Sequence, residues 1–332
     1  MKEEGGHMDR EGFRELLKKR RLSDQKIEAS ISLAERFESF LTTSDRAPDA
    51  TAAGDFCNIL MQEQQNTYDN FLTLLRYGWF IKNHAIYLAI LELLDGAEVQ
   101  PNLYQKVGEQ FGQAVRDEVF AGIGVSQLGV PSSDKPFDLF PALDRLIEKV
   151  GYEDVERLLS ACLRDLPDKY YLGERKKYKK SADIDDYLRL KHQEFLEELR
   201  ACQREGRLFF SQEITDEVLR YVEEHPETEG GMRDGRLLYI TKIPYNAKEY
   251  LVEIDLVRKR YYACHCPWVR EEIKRGNLHM DPVFCNCSAG FHKKPWEIIF
   301  RQPLKVEVLE SALKGDFRCR FVVHLPENLE IA

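Results

Sequence analysis

The sequence predicts an α+β protein, with an irregular helical domain over residues 1–205 and a smaller domain over residues 206–332 that combines an antiparallel sheet with helices. Two observations support this prediction. Up to about residue 204, apolar residues recur with the period of an α-helix. After Gly206, segments rich in Tyr, Val, Ile and Leu alternate as half-buried strands do. We therefore expect the domain boundary between residues 205 and 230.

The helical half begins with a clear start signal. Ser23 is a favourable N-cap, and the apolar residues between Ile27 and Leu41 follow helical spacing. The stretch 124–141 is rich in Pro and Ser and is expected to be a loop, and 169–181 is expected to be a charged connector. Further helices are predicted near residues 56–66, 68–82, 84–95, 102–118, 138–150, 152–164 and 183–205.

The C-terminal part opens with one more helix, near residues 213–224, before β character begins. Leu237 to Tyr245 and Glu249 to Cys264 have the composition of strands. Two later segments, LKVEVLESAL and FRCRFVVHL, alternate as half-buried strands do. Lys314-Gly315-Asp316 lies between them as a hairpin signal.

Composition narrows the class of protein. The chain has 332 residues, 43% of them hydrophobic and 32% charged, which is typical of a globular protein. No run approaches eighteen apolar residues and the N-terminus has no apolar signal segment, so we expect a cytoplasmic protein without membrane association. The net charge of −9 argues against a nucleic-acid partner, and the basic run at 175–180 is interpreted as a solvated face.

The cysteines are unevenly distributed. Five of the eight fall near the C-terminus, in two Cys-x-Cys pairs and one single position. In a reducing compartment such thiols are more often ligands or redox groups than disulfides, and thiolates are good zinc ligands. Two alternatives remain open, a reactive thiol and simple core packing. The predicted metal ligands, with zinc as the cofactor, are Cys264, Cys266, Cys285, Cys287 and Cys319.

Cys266 stands out among the five. Pro267 suits the first position of a helix and Gly276 suits its C-cap, so Cys266 is predicted to be the N-cap. The positive end of the helix dipole would then lower the pKa of its thiol. Cys264 is expected to end the preceding strand, and residues at i and i+2 of an extended chain share a face.

The second pair is expected to behave in the same way. Cys285 and Cys287 would share a face just before a turn at Gly290. His265 and Glu272 are the candidate general bases beside Cys266, and all three are the predicted catalytic residues. The surrounding aromatic residues suit either a small-molecule pocket or ordinary core packing.

The stretch from Cys285 through Gly290 to VEVLESALKGDFRCRF resembles the end of the 4-vinyl-reductase domain. That resemblance implies an α+β fold, small-molecule binding and, as in related sensor domains, zinc. It matches Cys285 or Cys287 to the family's first cysteine, Cys319 to its last, and Glu271 or Glu272 to its acid. The chain departs from the family at Ser311, where a cysteine is usual; Cys264 or Cys266 would have to replace it.

The arrangement CHCPW…CNC…GDFRCRF is also similar to the L-2-amino-thiazoline-4-carboxylate hydrolase family, over about the last hundred residues. This resemblance implies hydrolysis of a non-peptide C–N bond. The first prediction is therefore a hydrolase for a small sulfur- or nitrogen-containing compound, with Cys266 or a metal-bound water as nucleophile. The alternatives are a non-catalytic ligand-sensing module and an interaction module, each with a structural zinc.

Overall fold

The computed structural model describes residues 8–164, 166–276 and 278–327 and has the predicted α+β architecture. None of the helices in these ranges is long and apolar enough to cross a membrane. The helices are α1 Arg10–Lys19, α2 Asp24–Thr43, α3 Ala50–Gln62, α4 Tyr68–Phe80, α5 His84–Leu94, α6 Val99–Phe111, α7 Gln113–Val119, α8 Pro136–Val150, α9 Tyr152–Ser160, α10 Leu172–Tyr178, α11 Ile184–Glu205, α12 Asp216–Glu224, α13 Ala247–Val252, α14 Leu256–Ala263, α15 Arg270–Arg275 and α16 Asn286–Phe300. The strands are β1 Met232–Asp234, β2 Leu237–Thr241, β3 Val306–Glu310 and β4 Arg320–His324.

The chain forms two compact units. Unit 1 comprises residues 1–97 and 127–131, and unit 2 comprises residues 98–126 and 132–332. The division predicted near residue 205 lies inside unit 2, because helices α6 to α11 belong to the same unit as the sheet. Periodicity shows where elements change from helix to strand, but it does not show which helices pack on the sheet.

Unit 1 is helical, and short polar side chains start its helices. Ser23 caps α2 as predicted, accepting a hydrogen bond from the Lys26 N–H. Asp9, Asp49, Thr67 and Asn83 do the same for α1, α3, α4 and α5. The core beneath these helices is rich in aromatic rings: Phe13, Phe37, Phe56, Phe71 and Tyr77.

The sheet belongs to unit 2 and is antiparallel throughout, with the order β1-β2-β4-β3. The predicted strands in LLYITKIPY, LKVEVLESAL and FRCRFVVHL are therefore confirmed. Leu238 pairs with Val323 and Ile240 with Phe321, and all four side chains are buried. A register shift interrupts the β3–β4 pairing between Val308 and Glu310.

Three predictions of secondary structure are wrong. Most of Glu249 to Cys264 is helical, in α13 and α14, although its composition favours a strand. Asp255 begins α14 by accepting a hydrogen bond from the Arg258 N–H at 2.8 Å, and this cap outweighs the weak β propensity of the residues that follow. The expected connector 169–181 contains α10, and the expected turn at Gly290 lies inside α16.

Candidate functional site

Three of the five C-terminal cysteines come together in unit 2. Cys264 is the C-cap of α14, Cys285 ends the 3₁₀ helix Pro282–Cys285, and Cys319 precedes β4. A negative charge on Cys319 would raise the pKa of both other thiols. The three side chains are therefore close enough to interact electrostatically. Ser311 lowers the pKa of Cys285 and so lies beside this cluster.

These thiols are protonated at neutral pH. Burial raises the pKa of Cys264 and of Cys285 well above the ordinary value, and it also raises that of Cys319. All eight cysteines of the chain are free thiols. Protonated thiols are poor nucleophiles. They become reactive when a bound cation stabilises the thiolate or when a base accepts the proton.

Cys287 lies on a different side of α16. It is buried, and Arg164 and Cys162 affect the pKa of its thiol more than Cys285 does. The predicted shared face of Cys285 and Cys287 is wrong because this segment is helical, where residues two apart point in different directions. Burial raises the pKa of Cys287 to about 12.

Cys266 does not cap a helix. Its carbonyl accepts hydrogen bonds from the N–H groups of Val269 and Arg270, at 3.2 and 2.9 Å, so a turn intervenes. Helix α15 begins only at Arg270, with Val269 as N-cap, and has six residues. A helix dipole therefore does not act on the Cys266 thiol as predicted, whereas the predicted C-cap at Gly276 is confirmed. Cys266 is half-buried and packs against the core of unit 2.

His265 is enclosed and neutral. Its Nε2 lies 2.6 Å from the carbonyl oxygen of Ile243, which assigns the ring proton to Nε2 and leaves Nδ1 to accept. Burial lowers the pKa of His265 well below its ordinary value, and the nearby ammonium of Lys242 lowers it further. The ring meets Tyr245 edge to face, with centroids 5.2 Å apart.

Glu272 is buried for a local structural reason. Its Oε2 accepts a hydrogen bond from the backbone N–H of His279 at 3.3 Å, so it holds the turn after α15. Burial raises the pKa of its carboxyl group. The backbone N–H groups of His279 and Met280 both hydrogen-bond to this carboxylate, which gives Glu272 a structural role in this turn.

The sequence-based prediction missed Lys242, which lies at the centre of the site. It follows β2, and its backbone N–H donates to the carbonyl of Cys319 at 3.0 Å. Its half-buried side chain reaches α16, where Nζ lies 3.3 Å from Oγ of Ser288. In the part of the chain that the structure describes, no carboxylate lies within 4.0 Å of this ammonium group.

His292 lies one turn after Ser288 on α16 and completes this group. Its ring stacks on Phe321 of β4, with centroids 5.3 Å apart and planes inclined by 27°. Nε2 is buried and has no hydrogen-bond partner among the described residues. Burial lowers the pKa of His292 well below its ordinary value, with the charges of Lys242 and Lys191 as further causes.

A second cation borders the thiols. Arg270 is buried with its guanidinium 4.1 Å from the Tyr245 ring centroid and 5.4 Å from that of Tyr261. Its Nε has no hydrogen-bond partner within the described ranges. The site thus combines thiols, neutral histidines and cations. Unlike most buried cations, Arg270 is stabilised by aromatic faces instead of a carboxylate.

The cluster has zinc-binding chemistry without a preformed zinc geometry. Cys264, Cys285 and Cys319 carry the soft ligands that zinc prefers. Within the described ranges, however, no three Cys, His, Asp or Glu side chains converge closely enough to hold one ion. Comparison with known proteins does not decide the matter, since no family model, curated protein or solved structure matches this chain.

Proposed function

We propose that this chain is a cytoplasmic small-molecule-binding protein whose ligand contacts Lys242 and the adjacent thiols in unit 2. The observation that supports this most directly is Lys242 itself. Its half-buried ammonium group has a serine hydroxyl as its side-chain partner and no carboxylate among the described residues. An incompletely paired charge away from bulk water destabilises a folded protein, and such groups are concentrated in functional sites.

The activity we propose is hydrolysis of a small sulfur- or nitrogen-containing compound, as the family resemblance implies. Cys266 is the candidate nucleophile, since it adjoins the cluster and is only half-buried. His265 is the candidate base through Nδ1, because its Nε2 proton is already donated to Ile243. The contacts of Glu272 support a structural role instead.

The activity is tested with the compound that the resemblance names. Purified protein is incubated with L-2-amino-thiazoline-4-carboxylate, and ring opening is followed by the appearance of a free thiol. We expect Cys266→Ser to abolish turnover while leaving the far-ultraviolet circular dichroism spectrum unchanged. Cys287→Ser is the matched control, because Cys287 belongs to the other side of α16. Turnover that survives in Cys266→Ser would exclude Cys266 as nucleophile.

A second candidate function is a non-catalytic ligand-sensing module in which zinc holds the cluster together. The mutual electrostatic effects of thiols from three separate elements favour it, because an ion that drew them together would tie the end of α14, the start of α16 and the start of β4 to each other. Zinc binding would displace the thiol protons that burial retains.

Metal analysis of protein purified without chelator separates the two candidates. One equivalent of zinc that is lost in Cys264→Ser and Cys319→Ser, but kept in Cys287→Ser, would support the sensing module. Absence of zinc, together with slow modification of every thiol, would reject both the zinc site and a reactive cysteine. A metal-free protein that still turns over the test compound would leave hydrolysis as the function.

A further inference from the structure

Among the described residues, no carboxylate lies within 4.0 Å of the Lys242 ammonium group. Its side-chain hydrogen-bond partner is Oγ of Ser288, 3.3 Å from Nζ. A positive charge in such surroundings attracts an anion more strongly than one in bulk water, because the local dielectric constant is lower. The Lys242 ammonium group, without an ion-pair partner among the described residues, is therefore available to an anion.

Glu229, an acid that contacts the segment after Lys242, is hydrogen-bonded to other groups. Glu229 uses Oε1 to accept a hydrogen bond from the backbone N–H of Ile243 at 3.1 Å. Its carbonyl oxygen accepts a hydrogen bond from Nζ of Lys191, a second lysine whose pKa burial lowers. Glu229 is thus committed to holding the loop before β1 and the chain after β2.

Two side chains of α16 lie near Lys242: Oγ of Ser288 is 3.3 Å from its Nζ, and the charge of the lysine lowers the pKa of His292. Ser288 and His292 are four residues apart on α16 and so share one face of that helix. The opposite face, with Cys287 and Gly290, packs against residues 160–162. Ser288 is also within the first turn of α16, where backbone N–H groups carry partial positive charge.

Nε2 of His292 has no hydrogen-bond partner among the described residues, and this points independently to a ligand. A buried polar atom without a hydrogen bond costs free energy, and such atoms are uncommon in folded proteins. In the tautomer that carries the proton on Nε2, this nitrogen would donate to an acceptor placed between α16 and β4.

We propose that Lys242, Ser288 and His292 form a binding site for a small organic anion with a single negative charge, such as a carboxylate. This inference rests on the proposed small-molecule-binding function and specifies its ligand class. The Lys242 ammonium group forms an ion pair with the anion, while the Ser288 hydroxyl and His292 Nε2 donate to its oxygens. One unpaired ammonium balances one charge, so a monoanion fits better than a phosphate dianion.

Ligand binding to the full chain tests this site. The probes are acetate and benzoate, their uncharged amides acetamide and benzamide, and inorganic phosphate, each measured by thermal shift and calorimetry against sodium chloride at equal ionic strength. We expect at least one carboxylate to raise the melting temperature in a saturable manner, more than its amide or phosphate does. In Lys242→Met that carboxylate should bind roughly 10- to 100-fold more weakly, the loss typical of one charged hydrogen bond.

Matched variants identify the site and guard against misfolding. Lys242→Arg should retain most of the affinity, and Ser288→Ala should reduce it while keeping the lysine. Lys248→Met is the control, because Lys248 is exposed and paired with Glu213. Equal carboxylate affinity in wild type, Lys242→Met and Ser288→Ala would overturn the assignment, as would stronger binding of phosphate.

The uncharged probes separate this inference from the function beneath it. Binding of an amide as tight as that of its carboxylate would overturn the anion site and leave small-molecule binding in place. If no probe shifts the melting temperature of the wild-type protein, the anion site is rejected. Turnover of the thiazoline compound by the same preparation would then show whether the proposed function survives without it.

Discussion

Helix α16 approaches another segment of unit 2 so closely that one position in it accepts only glycine. A Cβ atom built on Gly290 would lie 2.5 Å from the carbonyl oxygen of Ser160 and 2.9 Å from the backbone nitrogen of Cys162. Both neighbours are backbone atoms, so no change of rotamer relieves the clash. Gly290→Ala therefore requires the helix or the turn at residues 160–162 to move.

The structure sets the size of the expected effect. Ordinary contact for a Cβ begins at 3.4 Å, so the helix has to retreat by about 1 Å. Overpacking of a rigid interior costs typically about 1–3 kcal/mol, and three backbone clashes place Gly290→Ala near the upper end. The higher helix propensity of alanine offsets about 1 kcal/mol of this. We expect the free energy of unfolding to fall by about 2 kcal/mol.

Urea denaturation followed by tryptophan fluorescence measures this change, because Trp268 and Trp296 are buried in unit 2. Gly173→Ala is the matched control, since a Cβ on Gly173 of α10 meets nothing within 4 Å. We expect that control to match or slightly exceed the wild-type stability. An unchanged or raised free energy of unfolding in Gly290→Ala would refute the close packing of α16 on residues 160–162.

Three further outcomes are expected. Burial lowers the pKa of His292, so the unfolded chain binds more protons than the folded chain below about pH 6.5. The free energy of unfolding should therefore decrease by up to about 1.4 kcal/mol for each pH unit by which the pH is lowered. Acid titration of His292→Gln should show a shallower slope, whereas exposed His84→Gln should match the wild type. Asp183→Ala should cost about 1 kcal/mol at the N-terminus of α11, with Asp183→Asn close to wild type, and equal melting temperatures would contradict this. Cys287, with a pKa of about 12, should react with a disulfide reagent at pH 8 orders of magnitude more slowly than a small-molecule thiol, and rapid labelling located by mass spectrometry would contradict its burial.

The sequence predicted the fold class because its strongest patterns are local. The alternation around Leu238 marks one buried face of a strand, and Ser23 marks the start of a helix. Glu249 to Cys264 was mispredicted because tyrosine and valine suit both strands and packed helices. The capping residue Asp255 was a better indicator of helical structure in this segment than its overall composition.

The site was only partly predictable, for a related reason. The Cys-x-Cys spacing identifies the correct region, but whether two thiols share a face depends on the local backbone, which is helical at Cys287. Lys242, Ser288 and His292 belong to no motif and meet through tertiary packing. The one available signal was a lysine immediately after the apolar strand LLYIT, where a half-buried charge needs a reason.

The pairing of β2 with β4 has a consequence for how the site assembles. These strands are hydrogen-bonded neighbours although about eighty residues separate them, so closing the sheet carries a large loop entropy. Cys264 and Cys285 lie within that loop, whereas Lys242 and Cys319 lie where it closes. The thiol cluster consequently forms only once these distant strands have paired. The time course with which these thiols lose reactivity during refolding therefore measures when the strands of unit 2 pair.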